Sequence, residues 1–222
     1  MVKTVVHCVP GLGADHRLFG RLHLPDHELR WLDWPQMPIG SSVKDFAEAL
    51  SQRVDPRFAH VLLGVSFGGM VVQEMAATTG AQRVVIVSSW KGVREMPMHI
   101  RLLQGSHAEK LLVPGFMRRM LPMVRWQMGV QDADDEALLD AFLNTTSLEQ
   151  LRVQIAAVLG WKGPEQPVRN LVHLHGDKDL LMPVERIVDP IVIKGGTHFM
   201  VFNRAEEVSA AIRRALASDD AA

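Results

Sequence analysis

The sequence contains a single cysteine, Cys8, among its 222 residues. One cysteine cannot form an internal disulfide, so the chain carries no sign of an oxidising compartment, and we interpret Cys8 as a core residue of the first apolar run. The sequence also lacks an excess of positive or negative charge, because its formal net charge is -1 at pH 7. A nearly neutral chain has no general electrostatic attraction to nucleic acid. No apolar run approaches the roughly 20 residues of a membrane-spanning helix, which favours a soluble protein without a membrane partner.

The motifs of common cofactor sites are also absent. There is no HExxH zinc motif, no glycine-rich phosphate loop and no pair of cysteines, so we predict neither a metal nor a nucleotide cofactor. The N-terminal stretch MVKTVVHCVPGLG carries one lysine and an apolar run too short for a signal peptide. We therefore expect a cytoplasmic protein.

What the sequence does contain is an alternation of strand-like and helix-like segments. Apolar residues make up 47% of the chain, which suits a single compact domain over residues 1–222. Short runs rich in β-branched residues alternate with segments of helical period, which indicates βα units and an α/β fold with a mostly parallel sheet of about six strands. The predicted strands are residues 4–9, 28–34, 60–65, 83–89, 170–176 and 190–196.

Three segments show the pattern of helices that pack against this sheet. Ser42 and Asp45 have the spacing of a capping box at the start of an amphipathic helix. Residues 68–77 form an apolar helix that directly follows the third strand, HVLLGV. Asn203 and Glu206 have capping-box spacing before a C-terminal amphipathic helix, and the last residues, ASDDAA, are expected to fray.

Residues 94–160 interrupt this alternation because they contain no strand-like run. Their helical patterns include one that follows Ser147 and Gln150, which have the spacing of an N-terminal cap. We interpret the segment as a helical cap inserted into the domain. Trp126 and Trp161 are predicted to anchor the cap helices to the rest of the protein.

The region around the start of this insertion is basic. Between residues 91 and 128 there are seven Lys or Arg and two acids, with six methionines interleaved. The basic residues are Lys91, Arg94, Arg101, Lys110, Arg118, Arg119 and Arg125. A cationic, adaptable lid would attract an anionic group such as coenzyme A or a carboxylated substrate. The alternative, which we favour, is a solvated helix face with methionines as ordinary core residues.

One short stretch has the pattern of a nucleophile. The residues GVSFG at 64–68 form a G-x-S-x-G run between a buried strand and a helix, which is the context of a nucleophile elbow. Glycine on both sides leaves room for a strained turn at Ser66, and Gly69 gives more. The helix N-terminus beyond the turn favours negative charge nearby. The alternative is a strand-to-helix turn that contains glycine and serine for geometric reasons alone.

Two further residues follow strands at the same edge of the predicted sheet. Asp179 lies in HGDKDLLMP after the fifth strand, and His198 lies in GGTHF after the sixth. A serine hydroxyl becomes a nucleophile only when a base takes its proton, and a third group must orient that base. In this kind of sheet the three residues occur along the chain in the order serine, acid, histidine. Ligand sites form at the carboxyl edge of the strands, so the three residues would converge there. Asp177 is the alternative acid, although an Asp directly after glycine more often stabilises its own turn.

Together these stretches resemble the α/β-hydrolase family along nearly the whole chain. The resemblance implies the α/β-hydrolase fold with a catalytic triad of Ser66, Asp179 and His198. It also implies an oxyanion hole formed by two backbone N–H groups. These belong to Phe67, after the nucleophile, and to Leu12, in the loop after the first strand.

The chain departs from the family pattern in that loop. Many members have His-Gly where this chain has Pro10-Gly11, a difference that concerns how the loop is anchored. The first strand also resembles the third strand of larger members, so we expect their N-terminal hairpin to be absent.

Other polar residues near the predicted site have a structural interpretation. His173 and His175 alternate along the fifth strand without a partner at metal-ligand spacing, so we predict structural histidines. His7 precedes the loop after the first strand and is expected to be a hydrogen-bonded strand residue. Asp15 and Arg17 are expected to form a local ion pair.

The residues and the resemblance together predict a serine hydrolase. We expect it to cleave a small carboxylic ester with a short or medium acyl chain through an acyl-enzyme. One alternative is a thioesterase that uses the same residues on an acyl-CoA or acyl-carrier substrate. Another is a hydrolase-like receptor that binds a small ligand without turnover. The natural substrate and the oligomeric state stay open at this level.

Overall fold

The computed structural model describes residues 3–217, except for the side chain of Phe116. The strands are β1 (Thr4–Val9), β2 (His27–Trp31), β3 (His60–Val65), β4 (Arg83–Val87), β5 (Leu171–Gly176) and β6 (Ile191–Ile193). All are parallel to their neighbours and form one sheet in the order β2-β1-β3-β4-β5-β6, which confirms the predicted α/β fold. Most of the tail that the sequence predicts to fray, residues 218–222, lies outside the described residues.

Helices connect the strands and cover the sheet. They are α1 (Val43–Ser51), α2 (Phe67–Thr79), α3 (Met98–Arg101), α4 (Pro114–Met128), α5 (Ala133–Thr145), α6 (Leu148–Gly160), α7 (Met200–Asn203) and α8 (Ala205–Ala217). Helices α3 to α6 fall within residues 94–160, a segment that contains no strand, as predicted. Across residues 3–217, no helix combines the length and the apolar content needed to cross a membrane.

The central strands divide the core into two clusters. Leu62 of β3 packs in the cluster that contains α1 and α2, whereas Leu63 packs in the cluster that contains α8. Successive side chains of a strand point to opposite faces, so helices cover both faces of β3 and all of its residues are buried. Cys8 lies fully buried in the second cluster, which confirms its core role, and burial raises the pKa of its thiol.

Two of the predicted helix starts are confirmed. Ser42 Oγ accepts the Asp45 amide at 3.3 Å and Asp45 Oδ2 accepts the Ser42 amide at 2.6 Å, which completes a capping box for α1. At the start of α6, Ser147 Oγ accepts the Gln150 amide at 3.2 Å. The side chain of Gln150 does not return to Ser147. It bonds the backbone of Met37, with both contacts at 2.9 Å.

The predicted capping box of Asn203 and Glu206 is wrong. Asn203 ends the short helix α7, and its Nδ2 donates to Gly129 O at 3.1 Å and to Asp135 Oδ2 at 2.9 Å. The amide side chain is therefore used to connect α7 with the start of α5. Helix α8 begins at Ala205 without it.

Three strands end earlier than the sequence predicts. β2 stops at Trp31 and β6 spans only Ile191–Ile193, and both lie at an edge of the sheet, where a strand has one neighbour. β4 stops at Val87 because Ser88 turns the chain with a φ of 47°. Gly195, with a φ of 71°, turns the chain after β6 towards the carboxyl edge of the sheet.

Candidate active site

Ser66 occupies a sharp turn between β3 and α2. Its φ of 53° and ψ of -117° are strained for a residue with a side chain. Two contacts hold this backbone in place, since the Ser66 amide donates to Val87 O at 2.9 Å and Ser89 Oγ donates to Ser66 O at 2.8 Å. The strained turn presents the half-buried Ser66 hydroxyl at the carboxyl edge of the sheet.

The glycines around Ser66 allow backbone segments to lie against each other. A Cβ on Gly64 would lie 2.3 Å from Gly68 O, and a Cβ on Gly68 would lie 2.2 Å from Val9 O. On Gly69 it would lie 2.5 Å from Ser89 Oγ. No side chain fits at these distances. The three glycines are therefore required by packing, in agreement with the elbow interpretation of the sequence.

His198 and Asp179 converge on Ser66 from the loops after β6 and β5. His198 Nε2 lies 3.0 Å from Ser66 Oγ, and His198 Nδ1 lies 2.8 Å from Asp179 Oδ2. His198 and Asp179 are only 3% and 4% exposed. The arrangement has the geometry for proton transfer from the serine to an imidazole that a carboxylate orients.

The two candidate acids have different partners. Asp179 Oδ1 accepts the backbone amides of Leu181 at 3.0 Å and Met182 at 2.8 Å, which leaves Oδ2 directed at His198. Asp177 Oδ1 instead accepts the Gly195 amide at 2.5 Å and so connects the loops after β5 and β6. The geometry thus favours Asp179 as the partner of the imidazole.

The two predicted oxyanion residues belong to segments that adjoin Ser66. Phe67 is the first residue of α2, where backbone N–H groups have no partner within the helix. Leu12 belongs to the loop after β1, residues 10–15, which we call the β1 loop. A Cβ placed on Gly11 would lie 3.6 Å from Ser66 Cβ, so this loop adjoins Ser66.

Sequence reasoning missed the side chains that hold the β1 loop. Trp34 Nε1 donates to Gly11 O at 3.0 Å. From α6, Gln154 Oε1 accepts the Gly13 amide at 2.8 Å, and from the end of α5, Thr146 Oγ1 donates to Gly13 O at 2.8 Å. One signal for Gln154 was available, because it is a polar residue among the apolar positions of a predicted helix, and it is only 1% exposed.

His173 and His175 support the loop that carries Asp179. The carbonyl of Met182 accepts a hydrogen bond from His175 Nε2 at 2.7 Å, so His175 Nδ1 is left as the acceptor for His173 Nε2 at 3.2 Å. Burial lowers the pKa of both histidines, that of His173 to about 3. Both rings are therefore neutral near pH 7, as expected of structural histidines.

Two other expectations about polar residues have different outcomes. Asp15 accepts the Arg17 amide at the start of a short 3₁₀ helix and lies 2.5 Å from the Arg17 guanidinium, which confirms the local ion pair. His7 lies edge to face with His60, with ring centroids 5.6 Å apart, and burial lowers its pKa to about 4. Its Nδ1 is buried without a hydrogen-bond partner, so the expected hydrogen bond is not formed at that atom.

The two tryptophans of the insertion also differ from each other. Trp161 is buried after α6, and its Nε1 donates to Glu74 Oε1 of α2 at 2.7 Å, which confirms its predicted anchoring role. The same prediction for Trp126 is wrong, since this side chain is 64% exposed on α4. Because the Trp126 side chain points away from the core, it does not anchor α4 to the rest of the protein.

The basic residues around the insertion divide into paired and exposed groups. Lys91 Nζ lies 3.4 Å from Glu95, and Arg125 lies 2.8 Å from Asp140 and 3.5 Å from Glu136. The exposed residues are Arg94, Arg101, Lys110, Arg118 and Arg119.

Two surface cavities lie apart from Ser66. One of about 590 Å³ is lined by residues 51–57 with Thr78 and Thr79, and one of about 410 Å³ is lined by residues of α8 and residues 192–194. Neither lining includes a residue that contacts the Ser66 hydroxyl. Among the described residues, His, Cys, Asp and Glu side chains form no group of three that could hold a metal ion.

The fold and the geometry at Ser66 agree with the comparison to known families. The model of the alpha/beta hydrolase family matches residues 3–211. The chain therefore belongs to the α/β-hydrolase family. No curated protein sequence matches it.

Solved structures with this fold include several hydrolases. A hydrolase from Pseudomonas aeruginosa PA01 has 16% identity and a TM-score of 0.74, with 96% of this chain and 90% of that chain covered. A thermophilic esterase from Thermogutta terrifontis has 18% identity and a TM-score of 0.70, with 98% and 90% covered. YbtT, the type II thioesterase of the yersiniabactin biosynthetic pathway, has 18% identity and a TM-score of 0.65, with 96% and 92% covered. At these identities the likeness concerns the fold.

Proposed function

We propose that the protein is a serine hydrolase that cleaves a small carboxylic ester through an acyl-enzyme. The observation that carries the proposal is the continuous contact from Asp179 Oδ2 through His198 to Ser66 Oγ, with distances of 2.8 and 3.0 Å. In this reaction His198 takes the proton of Ser66 as its oxygen attacks the ester carbonyl. Asp179 keeps the imidazole in the required tautomer and stabilises the imidazolium.

The ester bond is then broken in two stages. The tetrahedral oxyanion receives hydrogen bonds from the backbone N–H groups of Phe67 and Leu12, and His198 returns the proton to the departing alcohol. Water, deprotonated by His198, attacks the acyl-enzyme and releases the carboxylic acid together with the free Ser66 hydroxyl. No metal or cofactor is needed for either stage.

We further propose that the chain is one domain and that residues 94–160 act as its cap. Val153 and Ala157 of α6 belong to the same apolar cluster as Phe67, which directly follows the nucleophile. Apolar side chains of the insertion therefore pack on the same face of the sheet as the residue after Ser66, which supports a role of the insertion beside the site. The single buried thiol of Cys8 favours function in the cytoplasm.

A thioesterase is the second candidate, and a specific observation favours it. Five basic side chains of the segment from Arg94 to Arg119 are exposed, so they are available to an anionic acyl carrier such as coenzyme A. The yersiniabactin enzyme with the same fold is a thioesterase by name. Thioester cleavage would use the same steps at Ser66, with a thiol as the leaving group.

Covalent labelling with a fluorophosphonate tests the proposal. We expect the wild-type protein to be labelled and Ser66→Ala to be unlabelled. Ser106→Ala is the matched control, because Ser106 is an exposed serine of the insertion whose hydroxyl bonds only the nearby Leu103 carbonyl in its own turn. Loss of labelling in the control, or labelling of Ser66→Ala, contradicts the proposal. Folded wild-type protein that neither labels nor hydrolyses a chromogenic ester would instead support the ligand-binding receptor.

The effect of salt on kcat/KM tests whether the basic segment favours an acyl-CoA thioester over a neutral ester. If the basic segment attracts the substrate, kcat/KM for an acyl-CoA falls more steeply with ionic strength than kcat/KM for a neutral ester of the same acyl chain. Replacing Arg118 and Arg119 by glutamine would reduce that difference without changing turnover of the neutral ester. Equal salt sensitivity for the two substrates would contradict the role of the basic segment.

A further inference from the structure

The β1 loop is held by a hydrogen bond to the peptide that precedes Leu12. Gly11 O accepts Trp34 Nε1 at 3.0 Å and the Ala14 amide at 3.1 Å. Gly11 C=O and Leu12 N–H belong to one planar peptide group, in which the carbonyl and the N–H point in opposite directions. A side chain that fixes the Gly11 oxygen therefore also fixes the direction of the Leu12 N–H.

The Trp34 indole also contacts Phe67, the residue that follows Ser66. Its ring stacks on Phe67, with centroids 4.8 Å apart and an angle of 29° between the planes. Phe46 of α1 packs edge-on against both rings, at 5.5 Å from Trp34 and 5.2 Å from Phe67. Trp34 thus contacts a residue at each of the two backbone segments that carry the proposed oxyanion donors.

We propose that Trp34 is a positioning residue of the oxyanion hole. The inference rests on the proposed function and deepens it, because it assigns a support to the Leu12 and Phe67 amides. The indole acts on Leu12 through the Gly11 peptide and on Phe67 through the ring stack, and it does not itself bind the oxyanion.

Two effects follow from this arrangement. The hydrogen bond keeps the Leu12 N–H in place before the substrate carbonyl becomes tetrahedral, so no reorientation is needed during the reaction. Donation to Gly11 O also polarises the peptide and makes the Leu12 N–H a stronger donor, because hydrogen bonds in a chain reinforce one another. Both effects act in the transition state more than in the bound substrate.

Trp34→Phe is the variant that tests the inference. It keeps an aromatic ring that can pack against Phe67, and it removes the N–H donor together with the second ring of the indole. Trp161→Phe is the matched control, because it also removes one indole N–H bond, the 2.7 Å bond to Glu74, which does not involve the β1 loop. We expect Trp34→Phe to lower kcat for a chromogenic ester about 10- to 100-fold, with KM changed less than about 3-fold, and the control to leave both nearly unchanged.

A boronic acid that forms a tetrahedral adduct with Ser66 supplies a second readout. We expect its affinity to fall in Trp34→Phe by a factor close to the fall in kcat, and to be unchanged in Trp161→Phe. A merely structural role would lower the melting temperature of both variants and leave kcat and boronate affinity of the folded protein alone. That outcome would overturn the inference.

A second replacement covers the case in which Trp34→Phe is too unstable to assay. The amino acid β-(3-benzothienyl)alanine, placed at position 34, keeps the two-ring shape and replaces the N–H by sulfur. We expect it to lower kcat and boronate affinity as Trp34→Phe does. Wild-type kcat in this protein would refute the role of Trp34, whereas failure of the wild-type chain to react with fluorophosphonate would refute the proposed function itself.

Discussion

The two halves of the candidate site are supported by different parts of the molecule. Ser66, His198 and Asp179 lie in the turns that follow β3, β6 and β5, and the side chains of Asp179 and His198 form their hydrogen bonds with residues of these turns. The insertion adds one backbone contact there, since the Phe199 amide beside His198 donates to Met128 O at 3.0 Å. The β1 loop is instead held at Gly13 by Gln154 of α6 and by Thr146, both within residues 94–160.

The contacts in the sheet loops therefore act on Ser66, His198 and Asp179, whereas those at Gly13 act on the β1 loop, which carries one of the two proposed oxyanion donors. Changes in the sheet loops should affect the activation of Ser66, whereas changes in the insertion should affect how well the β1 loop binds a developing negative charge. The insertion would thereby influence the rate of the chemical step as well as the choice of substrate. The following predictions test this comparison, in order of decreasing effect.

Removal of Ser66 or His198, the proposed nucleophile and base, should have the largest effect. We expect Ser66→Ala and His198→Ala each to lower kcat by about 10⁴- to 10⁶-fold, because the two residues act as one unit. The double variant should be no slower than either single variant by more than about tenfold. Steady-state kinetics with a chromogenic ester measures this, and losses that multiply in the double variant would contradict the shared role.

Exchange of the acid should distinguish Asp179 from Asp177. Asp179→Asn should lower kcat by about 10⁴-fold, because the amide favours the wrong tautomer of His198. Asp177→Asn weakens only the bond to Gly195, so it should lower the free energy of unfolding by about 1 kcal/mol and kcat by less than about 3-fold. Kinetics and urea unfolding of both variants provide the check. The reverse order of kcat would assign the acid to Asp177.

Replacement of Gln154 should show whether the insertion supports the chemistry. Gln154→Met removes the acceptor for the Gly13 amide and should lower kcat about tenfold, the equivalent of one hydrogen bond, with little change in KM. Gln150→Met on the same helix is the control, because its two bonds go to Met37 and it should lower stability alone. Gln154→Glu keeps an acceptor oxygen and should recover part of kcat. Equal kcat in the two Met variants would remove the proposed distinction between the halves.

The last prediction concerns stability in acid and leaves the rate of the reaction unchanged near pH 7. The pKa of His173 is lowered by burial to about 3 in the folded state, from an ordinary value of 6.5. As pH falls from about 6.5 towards 3, the unfolded chain binds a proton that the folded chain excludes, so stability falls by at most about 1.4 kcal/mol per pH unit for this group.

His173→Asn should therefore flatten the loss of stability between pH 6.5 and 4.5, as measured by urea unfolding. His99→Asn, at an exposed residue of the insertion, is the control and should leave the slope unchanged. Helices α4 to α6 contain no histidine, so this acid sensitivity belongs to the sheet half of the comparison. If the loss of stability per pH unit is the same in His173→Asn as in the wild type, other titratable groups cause that loss.

Local patterns explain why much of the site could be predicted from the sequence. The glycines near Ser66 pack against backbone that is either a few residues away or in the neighbouring strand, and this packing fixes the position of Ser66. Asp179 and His198 each follow the end of a parallel strand, which places them at the same edge of the sheet. The capping box of Ser42 and Asp45 is likewise complete within one turn. Such signals depend on residues that are close in sequence or on the general rule for parallel sheets.

The supports of the β1 loop depend on contacts between distant segments. Gly13 and Gln154 are 141 residues apart, and Gly11 and Trp34 are 23 apart across β2. No spacing or motif in the sequence predicts that residues so far apart form a hydrogen bond. The same reason accounts for Asn203, whose amide bonds to Gly129 and Asp135 replace the predicted capping box.

The long separation in sequence between Ser66 and His198 has a consequence for synthesis of the chain. Ser66 and His198 are 132 residues apart, and the strands next to Ser66, β1, β3 and β4, all precede residue 88. A growing chain contains the elbow long before it contains the imidazole. Because β5, β6 and the turn to His198 are made only after the whole insertion, a nascent chain on the ribosome carries Ser66 without its proposed base. It would stay inert towards esters in the cell until nearly the whole domain has emerged and folded.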